Sequence, residues 1–259
     1  MKNIFALTEY LRYLSKAKGA QSIHSPFVFE LYNKVICDPG DYYEFSPIEQ
    51  LRQRLLHSNE IIEVDDFGAS GNNTSRKKVS DTVQLSAIPS KQGRLLFRLV
   101  NFLQPRNIIE LGTSLGISTL YQHKARPEAE CITLEGSPGL SAFAGTNFRV
   151  LKATSINRIV GRFDETLPEV IKGLSFVDYV FFDGNHRKEA TLEYFYKFLP
   201  FASFRCVFVF DDIRWSRGMQ EAWQQIVKDP NTKATIDLFS FGLVFFNPSQ
   251  EKEHFVLKY

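Results

Sequence analysis

The sequence predicts an α/β protein: a doubly wound, mostly parallel sheet of seven strands, ending in an antiparallel C-terminal hairpin and preceded by an N-terminal helical cap. Three observations predict it. From residue 107 onward, short apolar runs alternate regularly with helical stretches, as a chain of βα units requires. Runs such as VDYVFF and CVFVF are apolar throughout, which suits strands buried on both faces of a parallel sheet. The last two runs, 235–239 and 243–246, are joined only by Ser240, Phe241 and Gly242. That link is too short for a helical crossover, so these two strands pair antiparallel.

Bulk composition narrows the class. A chain of 259 residues buries one large core plus a smaller cap. Its 44% hydrophobic and 23% charged residues are ordinary for a globular protein. A net charge of +2 gives no electrostatic reason to expect a nucleic acid. No apolar run is long enough to span a bilayer, and Glu9 and Arg12 interrupt the N-terminal one before a signal-like core is complete. Cys37, Cys131 and Cys206 are odd in number and lack metal spacing, as expected of reduced thiols in a cytoplasmic protein. The 24 phenylalanines read as aromatic core packing.

The expected domains are a helical cap with a flexible loop over 1–89 and a catalytic domain over 90–259. In the cap, Ile4, Leu7, Leu11 and Leu14 recur at helical spacing, with Phe5 and Tyr13 widening the apolar face. Ser25-Pro26 pairs an N-cap with a proline at the first helical position. Ser46-Pro47-Ile48-Glu49 fits a capping box opening a third helix. These helices either cover the substrate side or form an oligomer contact, for example in a homodimer. Residues 65–80, rich in Gly, Ser, Asn and basic side chains, read as a mobile surface loop. The sharper reading is a lid whose Arg76, Lys77 and Lys78 meet an acidic substrate. A helix over 90–103 follows, stopped by Pro105.

Five strand–helix units come next: strands 107–112, 131–135, 157–161, 177–183 and 206–211, with helices 117–125, 138–149, 165–172, 187–199 and 216–228. The stretch NIIELGTSLGIST (107–119) organises them. It reads as a buried strand, a glycine turn at 112–116 and a helix start at Ile117. Glycines at such a turn let the backbone approach a ligand closely, and the new helix offers free N–H groups to an anion. Glu110 stands at the carboxyl end of the strand, where doubly wound sheets bind ligands. Glu135 ends the next strand, where a carboxylate can accept from both hydroxyls of a ribose. Together they describe a nucleoside pocket.

This order of elements, with ELGTSLG at the first turn and Glu135 after the second strand, resembles the Rossmann-like class I S-adenosylmethionine-dependent methyltransferases over about residues 90 to 259. The turn is E-x-G-x-x-x-G and lacks the G-x-G-x-x-G of dinucleotide binders, and a terminal hairpin is typical of the family. The resemblance implies that Gly112, Thr113, Ser114 and Gly116 line the methionine part of S-adenosyl-L-methionine. Ser118 would contact its carboxylate, Glu110 its amino group and Glu135 its ribose. In the third turn, with Gly161, Phe163 would pack on adenine and Asp164 accept from its amino group. An N-cap on the following helix is the other reading of Asp164.

The fourth strand ends in Asp183-Gly184-Asn185-His186 and the fifth in Asp211-Asp212. These strands are neighbours in this fold, so three carboxylates meet at one sheet edge, an unfavourable arrangement without a cation. Hard oxygen ligands suit Mg²⁺, with Ca²⁺ or Mn²⁺ as alternatives. The pattern is similar to the metal-dependent O-methyltransferases of the catechol and macrolide-sugar types, which use Asp-Asn or Glu-Asp where this chain has Asp-Asp. The resemblance makes Asp183, Asp211 and Asp212 the metal ligands and His186, three residues beyond Asp183, the general base. Asp183 as a helix cap and His186 as a surface residue are the plain alternatives. Trp223 reads as core, and Trp215 with Arg214 as a wall of the acceptor pocket. The expected activity is metal-assisted O-methylation of a small hydroxylated acceptor. Methylation of nitrogen or nucleic acid on the same fold, a non-catalytic cofactor-binding protein and a nicotinamide dehydrogenase are the competing readings.

Overall fold

The computed structural model describes residues 2–67 and 73–259, with the side chains of residues 2–4, 66 and 73 outside that description. Three helices lead the chain: α1 (Lys2–Lys16), α2 (Pro26–Leu31) and α3 (Phe45–Leu56). A hairpin, β1 (Ile61–Asp66) and β2 (Asn73–Lys78), is followed by α4 (Val79–Ser86) and α5 (Ser90–Leu103). Five βα units then run as β3 (Asn107–Leu111), α6 (Ile117–Ala125), β4 (Glu130–Glu135), α7 (Pro138–Val150), β5 (Asn157–Val160), α8 (Phe163–Lys172), β6 (Val177–Phe182), α9 (Lys188–Phe198), β7 (Ala202–Phe210) and α10 (Arg217–Lys228). Strands β8 (Ala234–Asp237), β9 (Gly242–Phe245) and β10 (Glu253–Val256) close the chain. Strands β3 to β10 form a mostly parallel, eight-stranded sheet.

The chain divides into two compact units, residues 39–174 and residues 1–38 with 175–259. In the first, β3, β4 and β5 lie side by side and parallel. All five residues of β3 are buried, so the apolar run is explained by cover on both faces. In the second, the order is β10-β8-β9-β7-β6. β6 and β7 pair parallel, and β9 runs antiparallel to both β7 and β8. The phenylalanines concentrate here. Phe181, Phe195, Phe198, Phe208 and Phe210 are fully buried, and the rings of Phe182 and Phe210 stack with centroids 4.3 Å apart. Trp223 and Met219 are also buried on α10, and the Trp223 ring covers Gly242 so closely that a Cβ there would lie 2.5 Å from it.

Several expectations need correction. The sheet has eight strands, because β10 adds parallel to β8; its four residues, EHFV, carry too little apolar pattern to announce a strand. Of the expected apolar face of α1, Leu7, Leu11 and Leu14 face solvent and Tyr13 is buried, together with Glu9. Charge pairing, described below, decides that helix's orientation. Ser46 makes no capping box: α3 begins at Phe45 with Glu44 at the cap position and no side-chain cap. Glu49 instead accepts from Tyr121 Oη at 2.5 Å and Ser90 Oγ at 2.6 Å. The segment expected as a loop over 65–80 is largely ordered into β1, β2 and the start of α4. The middle of the lid reading, 68–72, lies outside the described residues. Ser25 does cap α2, accepting from Val28 N at 3.4 Å.

Candidate active site

In the unit 39–174, the end of β3 and the turn to α6 form a cradle held by hydrogen bonds. Gly116 caps α6 at φ +81°, a conformation that glycine adopts at little cost. A side chain there would also meet the Phe148 ring at 2.4 Å. Ser114 takes a left-handed φ of 48° and points its N–H at Glu135 Oε2, 2.7 Å away. Glu135 Oε1 accepts from Ser137 N at 3.0 Å. Burial pushes the Glu135 carboxyl up from its ordinary value, and these backbone N–H groups oppose the shift. Thr113 is buried, with its hydroxyl 2.6 Å from that of Thr133.

Glu110 is fully buried. Its Oε1 accepts from Gln122 Nε2 at 2.9 Å, and its Oε2 from Thr133 Oγ1 at 2.7 Å and from Thr119 Oγ1. Ser118 also hydrogen-bonds it, and burial raises its pKa against these donors. Any cofactor amine would join a carboxylate whose oxygens already have protein partners. Sequence reasoning missed Thr119, Thr133 and Gln122. Thr119 and Gln122 lie on the first turns of α6 and share a face there, the one signal available. At the third turn, Gly161 N donates to Glu135 O at 2.9 Å. Phe163 is half-buried at the first position of α8, and Asp164 is exposed. Arg162 is the cap residue of α8, and its Nε lies 3.1 Å from Asp164 Oδ1. Asp164 is therefore inside the helix and not its cap.

In the other unit, register brings the acids together. Phe182 is paired with Phe210 across β6 and β7, which sets Asp183 and Asp211 at the same level one residue later. Asp211 N donates to Phe182 O at 3.0 Å. The Asp183 side chain stands close enough to Asp211 to oppose the rise in its pKa. Asp212 N donates to Asp211 Oδ1 at 2.8 Å. Asp211 is raised well above the ordinary carboxylate range, first by burial and then by the Asp212 charge; burial also raises Asp212. His186 Nε2 stands 3.6 Å from Asp183 Oδ1, and burial lowers its pKa while Asp212 opposes the shift. Asp183 does not cap α9, where Arg187 holds the cap position.

Two of these turn residues, Asn185 and Asp212, hold left-handed backbone at φ 52° and 54°. Asn and Asp tolerate that region best among non-glycine residues, and such strain concentrates at ligand-binding turns. The donors are hard oxygens with one imidazole, a set whose chemistry fits a divalent cation such as Mg²⁺. Among the described residues, no three His, Cys, Asp or Glu side chains already stand as a cage for a metal ion. Trp215 is 62% exposed. Arg214 does not join it as a wall, being turned inward to Glu9 Oε2 at 3.4 Å and to Asp237.

Residues 109–213 match a family described as a methyltransferase domain. A catechol O-methyltransferase of Mycobacterium tuberculosis is 31% identical over 138 residues, 52% of this chain and 61% of that protein. One of Niastella koreensis is 34% identical over 112 residues, 42% of this chain and 50% of the relative. The matches thus span between half and three fifths of these relatives' lengths. The crystal structure of an O-methyltransferase from Bacillus cereus, in complex with SAH, superposes with a TM-score of 0.59. It is 15% identical and covers 83% of this chain and 94% of its own, a likeness of fold alone. Among the described residues, no helix is long and apolar enough to cross a membrane. The E-x-G-x-x-x-G turn and the acids that end β6 and β7 all lie within the span, 109–213, that matches a methyltransferase domain.

Proposed function

We propose that this protein is an S-adenosyl-L-methionine-dependent O-methyltransferase acting on a small hydroxylated acceptor, with a divalent cation assisting. The observation that carries the reading is the convergence of Asp183 and Asp211 at the ends of the paired strands β6 and β7, with His186 beside them. Such a pair needs either a proton or a cation between its oxygens. The relatives named as catechol O-methyltransferases support the choice of oxygen as the methylated atom.

On this reading the cradle binds the donor. The 113–118 turn would hold its amino-acid end, Glu135 its ribose, and the 161–164 turn its adenine. Glu110, saturated by hydroxyl and amide donors, keeps that turn in shape. Asp183, Asp211 and Asp212 would hold the cation, which when bound would lower the pKa of an acceptor hydroxyl. His186 takes the hydroxyl proton on its imidazole as the acceptor oxygen attacks the sulfonium methyl. The new O–CH₃ bond forms as the S–CH₃ bond breaks, and its electron pair stays on sulfur to give S-adenosylhomocysteine. Orientation of the two reactants supplies much of the acceleration.

The test is calorimetric binding of S-adenosyl-L-methionine with and without Mg²⁺, followed by S-adenosylhomocysteine release on a panel of vicinal diols and catechols. Micromolar binding, turnover with Mg²⁺, and loss of turnover in His186→Ala and Asp183→Asn are expected. No donor binding under any condition would remove the reading. Binding without turnover across the panel would leave a cofactor-binding protein.

A further inference from the structure

The β1–β2 hairpin has one edge paired internally, since β1 pairs antiparallel with β2. Its other edge lies on the turn that follows β4. Asp65 N donates to Ser137 Oγ at 3.1 Å. Two residues earlier, the Glu63 carbonyl oxygen approaches Gly139 so closely that a Cβ there would lie 2.1 Å from it. Two residues later, the Phe67 ring lies on Gly136, 2.7 Å from where a Cβ would be. Residues 63, 65 and 67 recur with the period of a strand edge. The sequence Gly136-Ser137-Pro138-Gly139 is therefore a landing for β1, with glycines supplying space where the hairpin touches. This docking fixes the half-buried ring of Phe67 next to the residue that follows Glu135. The same ring is covered by the Arg162 guanidinium, 5.4 Å from its centroid, and Arg162 in turn pairs with Asp164. Phe67 thus touches both turns assigned above to the nucleoside end of the cofactor.

We infer that Phe67 is a further binding residue of this site, an aromatic wall against which the adenosine packs, delivered by a hairpin that precedes the methyltransferase domain. The inference rests on the proposed donor reading and deepens it. Adenine presents a flat π-face, and an aromatic ring beside the ribose carboxylate offers stacking area that an aliphatic side chain does not. Arg162 on the ring's other neighbour completes a layered cation–aromatic arrangement. The hairpin then couples a segment outside the matched span of 109–213 to donor affinity.

The experiment is calorimetric titration of S-adenosylhomocysteine into the full chain as wild type, Phe67→Ala, Phe67→Leu and Phe67→Tyr, with thermal melting of each without ligand. The expected result is about tenfold or greater weakening in Phe67→Ala, a smaller but clear loss in Phe67→Leu, and affinity within about twofold of wild type in Phe67→Tyr. Unchanged affinity in Phe67→Ala beside a binding wild type overturns the wall and leaves the donor reading intact. Equal losses in Phe67→Ala and Phe67→Tyr also overturn it, because hairpin packing and not the aromatic face would then govern binding. A wild type that binds no S-adenosylhomocysteine overturns the donor reading, and the wall with it.

Discussion

The acidic groups of the two units are built into their surroundings on opposite principles. In the unit 39–174, the carboxylates of Glu110 and Glu135 are met by donors: hydroxyls, an amide and backbone N–H groups. In the other unit, Asp183, Asp211 and Asp212 cluster with one another and with His186. Donor-saturated acids hold a backbone shape; clustered acids hold an unbalanced charge. Like charges brought this close are costly, so a shared proton or a bound cation stabilises this cluster. Geometry is the resource of the cradle and charge that of the acidic cluster.

That same unit contains acids that are paired, which makes the contrast testable within it. Glu9 on α1 and Asp237 on β8 both meet Arg214, two residues beyond Asp212, and all three are buried or nearly so. Gln220 and Arg12 also donate to Glu9. Arg214→Ala takes the cation from buried Asp237 and leaves Glu9 to Arg12 and Gln220, and is expected to cost about 3–5 kcal/mol, read as a shift of the urea midpoint at constant slope. It is also expected to lower donor-dependent turnover through the adjoining 211–212 turn. A loss under about 1 kcal/mol would mean that the cluster behaves like surface ion pairs.

The cradle breaks by shape instead. Gly116→Ala places a side chain at φ +81° and against Phe148, with an expected cost of about 2–4 kcal/mol. Binding of S-adenosylhomocysteine should fall by about two orders of magnitude with it. Retained binding and stability would show that the turn relaxes, and that its closeness to Phe148 is not needed.

Much of this was legible in the sequence. The five βα units from residue 107 and the closing hairpin follow from unbroken apolar runs such as VDYVFF, whose period is distinctive because both sheet faces are covered. β1 and β2 were not legible, because NTSRKK has no apolar alternation and the hairpin's stability comes from docking on Gly136 and Gly139. Nor was the orientation of α1, where apolar periodicity favoured Leu7, Leu11 and Leu14, but the Glu9–Arg214–Asp237 ion pairs turned the other face inward. Within the site, residue types and spacing point to Glu135, Asp183 and Asp211. Partners joined only by folding, such as Thr133 with Glu110 or Phe67 with Gly136, leave no local pattern to read.

The smallest expected effects give the sharpest form of the comparison, since one chemical change should act with opposite sign in the two halves. Asp211→Asn keeps this position neutral without the need to bind a proton, while its amide can donate to Asp183 and its oxygen still accepts from Asp212 N. Without metal, it is expected to stabilise the fold by about 1–2 kcal/mol while abolishing turnover. Adding Mg²⁺ should then raise the melting temperature of wild type and leave the variant unmoved, because only the binding-competent native state gains by mass action. Glu135→Gln makes the same carboxyl-to-amide change in the cradle, where it should destabilise by about 1 kcal/mol. Its single carbonyl oxygen cannot serve both Ser114 N and Ser137 N, and its amide opposes whichever N–H is left. Denaturant melts of both variants in EDTA decide the matter. Stabilisation by Asp211→Asn with destabilisation by Glu135→Gln supports a charge-built and a geometry-built half. Two changes of the same sign would mean that the acids of the two halves are solvated alike, and the distinction between them would fall.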